Sequence, residues 1–145
     1  EIGDHLNSVG KEFGATTGRR RSCGWLDLVA LKYSLEVNGV TDICLTKIDV
    51  LDELEEIKVC VAYKTKSGEV IEYFPCIPED FDGLEPIYET LEGWKSTTFG
   101  IDQYDKMPQK ALDYIKYIED FTGVKVTVLS TGADRKDTLM LKEFF

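Results

Sequence analysis

Arginine is scarce in this chain: of four, three stand together as Arg19, Arg20 and Arg21, and the fourth is Arg135. A guanidinium is a planar fork that grips a carboxylate or phosphate through two parallel hydrogen bonds, whereas lysine offers one mobile point charge. Thr16 and Thr17 place hydroxyl donors just before the cluster, and Gly18 lets the backbone approach a ligand without a Cβ in the way. Thr16 to Arg21 therefore has the chemistry of an anion cradle. A solvated basic run is the competing reading of three adjacent charges.

Two further segments carry recognition chemistry. In Thr46-Lys47-Ile48-Asp49 the Asp49 carboxylate is suited to accept two parallel bonds from the ring N–H and exocyclic amine of guanine, while the aliphatic stem of Lys47 covers the base. Adenine lacks those adjacent donors and would leave the carboxylate badly paired. A solvated lysine beside a helix-capping aspartate gives the same spacing by chance. Ser130-Thr131-Gly132 is a small-residue loop that can offer backbone N–H donors to the guanine carbonyl; its ordinary reading is a plain turn.

These segments must be held by secondary structure. Leu26, Val29, Ala30 and Tyr33 recur at helical spacing, predicting a helix over Trp25 to Val37 that Asn38-Gly39 stops. Thr41 to Thr46 alternates as a short strand that delivers Lys47 and Asp49 to its C-terminal end. Asp52 to Glu56 reads as an acidic turn or short helix. Ile57 to Tyr63 and Val70 to Phe74, separated by Lys64-Thr65-Lys66-Ser67-Gly68, read as a hairpin, and Pro75 to Gly100 reads as an irregular packed segment. Pro108 opens a helix whose stripe is Ala111, Leu112, Ile115, Ile118 and Phe121; Thr122-Gly123 ends it. Val124, Val126, Val128 and Leu129 then make a strand that runs into Ser130. Helix, strand and small-residue loop in that order is the grammar of an α/β sheet with ligands at its strand ends.

Composition narrows the partners. A chain of 145 residues with 43% hydrophobic content can build one ordinary core, as one domain or part of a larger one. Twenty-seven acidic against 17 basic residues give a formal charge of −10, which repels a phosphate backbone and argues against nucleic acid. A local cluster still binds a small anion, because contacts inside about 8 Å escape the screened field. Cys23, Cys44, Cys60 and Cys76 are widely spaced, with no Cys-x-x-Cys pair, so reduced thiols in a cytosolic protein are expected, with Cys44 and Cys60 as small hydrophobes in apolar runs. With no apolar stretch near 20 residues and no signal peptide, a soluble protein without membrane contact is expected. The first residues, Glu1 to His5, look like a polar segment and do not begin with Met, as in a fragment or processed product.

Taken together, Phe13 to Arg21, Cys23-Gly24-Trp25-Leu26-Asp27, Thr46 to Asp52 and Ser130 to Arg135 resemble the C-terminal part of the adenylosuccinate synthetase family. The likeness covers essentially the whole chain; Pro86-Ile87-Tyr88-Glu89, Gly93-Trp94 and the helix from Ala111 to Phe121 fall in matching places. The resemblance implies an α/β fold, the C-terminal part of a P-loop-NTPase-like mixed sheet with flanking helices and a β-hairpin. It implies a cytoplasmic homodimer that uses GTP and magnesium to ligate L-aspartate to IMP, giving adenylosuccinate, GDP and phosphate. Carried over by residue, Ala15, Thr16, Thr17, Gly18, Arg19, Arg20 and Arg21 close on the aspartate carboxylates, Arg19 also reaches the IMP ribose, and Arg21 also approaches GTP. Lys47, Ile48 and Asp49 bind guanine opposite Ser130, Thr131 and Gly132. One departure is Ser22, where the family usually has another basic residue.

The family's phosphate loop, general-base aspartate and catalytic histidine have no counterpart here: there is no GxxxxGK[ST], and His5 is the only histidine. The expectation is that these 145 residues alone do not catalyse, that magnesium is held by regions outside them, and that GTP affinity is low without phosphate contacts. The alternative, from a different class, is a non-catalytic guanine-nucleotide or dicarboxylate binding module.

Overall fold

In the computed structural model, which describes residues 2–143, the chain runs α1 (Ile2–Val9), β1 (Leu26–Asp27), α2 (Leu28–Asn38), β2 (Asp42–Leu45), β3 (Glu56–Lys64), β4 (Val70–Ile71), β5 (Glu85–Glu92), α3 (Gln109–Thr122), β6 (Lys125–Ser130) and β7 (Thr138–Met140). The α/β class is as expected, but the strands divide between two mixed sheets. In one, β3 pairs in parallel with β1 and antiparallel with β4 and β5. In the other, β6 pairs in parallel with β2 and antiparallel with β7.

A capping side chain sets the start of α2, and glycines close α2 and α3. Asp27 caps α2 by accepting from Ala30 N–H at 2.9 Å, and its other oxygen accepts from Tyr63 Oη at 2.6 Å. The residues before it therefore extend as β1, and α2 starts at Leu28 rather than at the expected Trp25. Gly39 at φ 60° and Gly123 at φ 74° close α2 and α3 in the left-handed conformation, as their sequence positions predict. From α3, Ala111, Tyr114, Ile115 and Ile118 are buried against Leu28, Ile57, Val59 and Leu129, none more than 6% exposed. Each such aliphatic side chain contributes about 1.5–3 kcal/mol through its burial.

Several expectations are corrected. The polar opening segment forms α1 from Ile2 onward, with Glu1 outside the described residues. Of the two readings of Asp52 to Glu56 the turn is the one found, at Asp52 and Glu53, while the short helical turn lies before it at Ile48–Leu51 and β3 begins at Glu56. The hairpin exists, with Tyr63 opposite Ile71, but its second strand ends at Ile71 instead of Phe74. The supposedly irregular Pro75 to Gly100 contains β5, eight residues long and paired along β3. All four cysteines are free; Cys60 is buried, which pushes its thiol up to about 11, whereas Cys44 is exposed and is no core residue. Among the described residues, no helix is long and apolar enough to cross a membrane.

Gly93 joins β5 to the buried Trp94, and its N–H donates to Glu55 O at 2.8 Å. A Cβ there would collide with the Leu54 carbonyl, standing only 2.7 Å from its carbon. That obstacle is backbone and cannot swing aside. Gly93→Ala is expected to lower stability by about 1–3 kcal/mol, the usual penalty for overpacking. A chemical-denaturation midpoint equal to that of the parent would show that the turn relaxes freely.

Candidate functional site

Parallel pairing of β2 with β6, with Leu45 opposite Leu129, brings the two strand ends out side by side. The loops that follow are stitched together: Lys47 N–H donates to Ser130 Oγ at 3.4 Å, and that hydroxyl donates to Gly132 O at 3.1 Å. Lys47 holds a left-handed backbone, φ 60° and ψ 39°, which costs a non-glycine residue about 1–3 kcal/mol and is typical of functional turns. The strain is offset next door, because Ile48 is 2% exposed and anchors the turn in the core. The Ile48 side chain therefore belongs to the core.

Asp49 has the environment of a group waiting for donors. Its Oδ1 is buried and makes no hydrogen bond. Burial raises its pKa above the ordinary aspartate value, with Asp52 and Asp137 adding to the effect, while its own backbone N–H and Lys47 oppose it. An unpaired buried carboxylate oxygen costs about 1–3 kcal/mol or more, so a ligand that brings N–H groups recovers that energy.

Across from it, Thr131 is fully buried and committed to the fold: its N–H donates to Asp137 O at 2.8 Å and its hydroxyl to Ile101 O at 2.9 Å. A Cβ at Gly132 would lie 2.9 Å from Asp137 Cγ, so the close approach of that buried carboxylate demands glycine.

The arginine segment is a small antiparallel loop. Phe13 and Arg20 pair across it, Gly14 N–H donates to Arg19 O at 2.7 Å, and Gly18 turns at φ 64°. Thr17 Oγ1 accepts from Arg19 N–H at 3.3 Å. The stems are tied by Asn7, 3% exposed, whose Nδ2 donates to Glu12 O at 2.6 Å and to Arg21 O at 3.0 Å. Ala15 to Arg21 are all exposed. Arg20 pairs with Asp4, and Arg21 with Glu12 at 3.2 Å, whereas among the described residues Arg19 makes no ion pair.

The predicted residues are thus partly assembled. Lys47, Ser130 and Gly132 meet directly, and Glu12 links Lys47 to Arg21. Lys47 and Ile48 line a cleft of about 420 Å³ with Glu12 and Trp25, whereas Asp49 lines a second, of about 560 Å³, with Lys95 and Thr97. Arg20 and Arg21 border a third, of about 280 Å³.

Three residues that organise the site escape sequence reasoning. Glu12 and Asn7 act through contacts that only folding creates. Asp52 accepts from Trp94 Nε1, Thr98 N–H and Thr98 Oγ1, each at 2.7 Å, and fixes the segment beside Asp49. Asp52 had only its place in the acidic run after Asp49 to signal it.

A family model described as adenylosuccinate synthetase matches residues 1–139. The adenylosuccinate synthetase of Haemophilus influenzae strain PittGG is 50% identical over all 145 residues of this chain, which cover 34% of that relative. That of Mannheimia succiniciproducens is 49% identical over the same span and the same share. Among solved structures, fully ligated adenylosuccinate synthetase from Plasmodium falciparum superimposes with a TM-score of 0.90 at 39% identity, covering 97% of this chain and 34% of that one. The chain spans about a third of the length of the relatives it matches.

Proposed function

Because the chain belongs to the adenylosuccinate synthetase family, we propose that it forms the aspartate loop and guanine site of a GTP-dependent ligase acting on IMP and L-aspartate. In that reaction the 6-oxygen of IMP attacks the γ-phosphorus of GTP, releasing GDP. The amine of aspartate then adds at C6, and the phosphate leaves with the former 6-oxygen, giving adenylosuccinate. The reading places the whole protein in the cytoplasm as a homodimer.

The observation that carries the reading is the buried, unpartnered Asp49 oxygen beside the strained Lys47 turn. Guanine offers two adjacent N–H donors to that carboxylate, Lys47 lays its stem along the base, Ile48 contributes backbone, and Ser130, Thr131 and Gly132 shape the far wall. Ala15, Thr16, Thr17, Gly18, Arg19, Arg20 and Arg21 receive the aspartate carboxylates, with Arg19 extending to the IMP ribose and Arg21 toward GTP. Bidentate guanidinium contacts fix the amine's approach to C6, which lowers the barrier by orientation.

Magnesium, when bound, neutralises phosphate charge in such a transfer. The described residues bring together no group of three His, Cys, Asp or Glu side chains that could hold it. In this reading the residues of this chain bind and orient the substrates.

The test is a nuclear magnetic resonance titration with GDP and, separately, ADP, which registers weak binding. GDP is expected to shift the amides of Lys47 to Asp49 and Ser130 to Gly132, with ADP leaving them in place. Equal shifts from both nucleotides, or none from either, would remove the guanine assignment.

A further inference from the structure

Glu12 stands between the two halves of the proposed site. Its Oε1 accepts from Lys47 Nζ, and its Oε2 accepts from Arg21 Nη1 at 3.2 Å. Gly10 O, 2.6 Å from Lys47 Nζ, draws the ammonium to the same spot. The two cations, lysine foremost, hold the Glu12 carboxyl below the usual range. Beneath these contacts the backbone is fixed, because Asn7 clamps Glu12 O and Arg21 O, and Arg21 N–H donates to Glu12 O at 3.0 Å.

A lysine ends in a point charge on a flexible stem, so the stem lies along a base with little entropic loss only when its ammonium is already held. Glu12 provides that hold with one oxygen and aims a guanidinium with the other. Resting on the functional reading above, we propose that Glu12 is a positioning residue that couples the base pocket to the anion loop. A base settled on the Lys47 stem keeps the ammonium at the Glu12 carboxylate, and the carboxylate so held presents Arg21 to the aspartate substrate. Occupation of the base pocket therefore tightens aspartate binding, although Lys47 does not itself touch aspartate. The linkage runs both ways, as any binding linkage must.

A double-mutant cycle in a full-length synthetase that includes these residues tests the coupling, with the KM for aspartate read at saturating GTP. Lys47→Met keeps an apolar stem and removes the ammonium; Glu12→Gln keeps the shape and removes the charge. Each single variant is expected to raise the aspartate KM about fivefold, the low end of typical coupling, and the double variant is expected to be no worse than either. Glu12→Asp, which keeps the charge on a shorter arm, should fall between parent and Glu12→Gln; it carries the same cycle if the glutamine variant does not fold.

Multiplicative effects in the double variant would overturn the proposal, since a merely structural Glu12 acts independently of Lys47. So would an unchanged aspartate KM in both single variants. The GTP KM separates this failure from that of the underlying reading. If Asp49→Asn leaves the GTP KM and the preference over ATP untouched, the guanine assignment falls. If Asp49→Asn disturbs them while the aspartate KM stays put in the Lys47 and Glu12 variants, only the coupling falls.

Discussion

Replacing Asp49 with Asn in a full-length synthetase that includes these residues is expected to reduce kcat/KM for GTP by about 100- to 1000-fold and to make a xanthine nucleotide the better substrate. In the proposed site the carboxylate accepts from both the ring N–H and the exocyclic amine of guanine. Each such charge-assisted bond is worth about 1.5–3 kcal/mol, and the amide recovers part of one, leaving a net loss of about 3–4 kcal/mol. Xanthine carries a carbonyl where guanine has its amine, so the new amide N–H finds an acceptor there. The environment sharpens the effect: Asp49 Oδ1 is buried without a partner, and a mismatched base leaves it so. Competition between GTP and XTP measures the change. An unaltered preference for GTP would show that the base is read elsewhere.

Arg19→Leu is expected to raise the aspartate KM by about 30- to 1000-fold, equivalent to about 2–4 kcal/mol of lost charge-assisted bonding. Arg19 is singled out from its neighbours by what holds them. Arg20 is paired with Asp4 and Arg21 is held by Glu12, so each already has a carboxylate partner within this chain. Arg19 makes no such pair among the described residues, and its position is set by backbone contacts to Gly14 and Thr17. In the proposed site its guanidinium is therefore the fork that would engage a dicarboxylate at least cost. Leucine keeps bulk and removes the fork, so steady-state aspartate saturation isolates the loss. Normal saturation would place the loop outside the aspartate site.

The parts of this architecture that were legible in the sequence are those whose cause is local. The stripe along α3, the stops at Gly39 and Gly123, the turn at Gly68 and the β-branched run of β6 all follow from side-chain period or backbone freedom within a few residues. β5 had no such local cause. Only Ile87 and Leu91 are half-buried along Glu85–Glu92, so the segment shows no alternation strong enough to mark a strand. It is extended because β3 offers it a ladder, from Glu56 opposite Glu92 to Lys64 opposite Glu85. α1 was hidden for a similar reason, since its polar residues gave no clear stop or cap before Gly10.

The candidate site divides along the same line. Lys47, Asp49 and the arginines announce themselves by residue type and spacing. The partners that set their geometry do not, because Glu12 reaches Lys47 across 35 positions and Asp52 reaches Trp94 across 42. Ile48 shows the limit from the other side: its place in the motif was legible, but only packing reveals that its side chain belongs to the core.

The Asn7 clamp makes the arginine loop an exchangeable module. Its two stems are secured to the body by one buried amide, and the tip from Ala15 to Arg20 is exposed. The length and sequence of the tip can therefore vary while the stems keep their register, since each doubling of a flexible loop adds only about 0.6 kcal/mol of closure entropy. Acceptors of different span, a longer dicarboxylate among them, become reachable by redesigning Ala15 to Gly18 while leaving Asn7, Glu12 and Arg21 untouched.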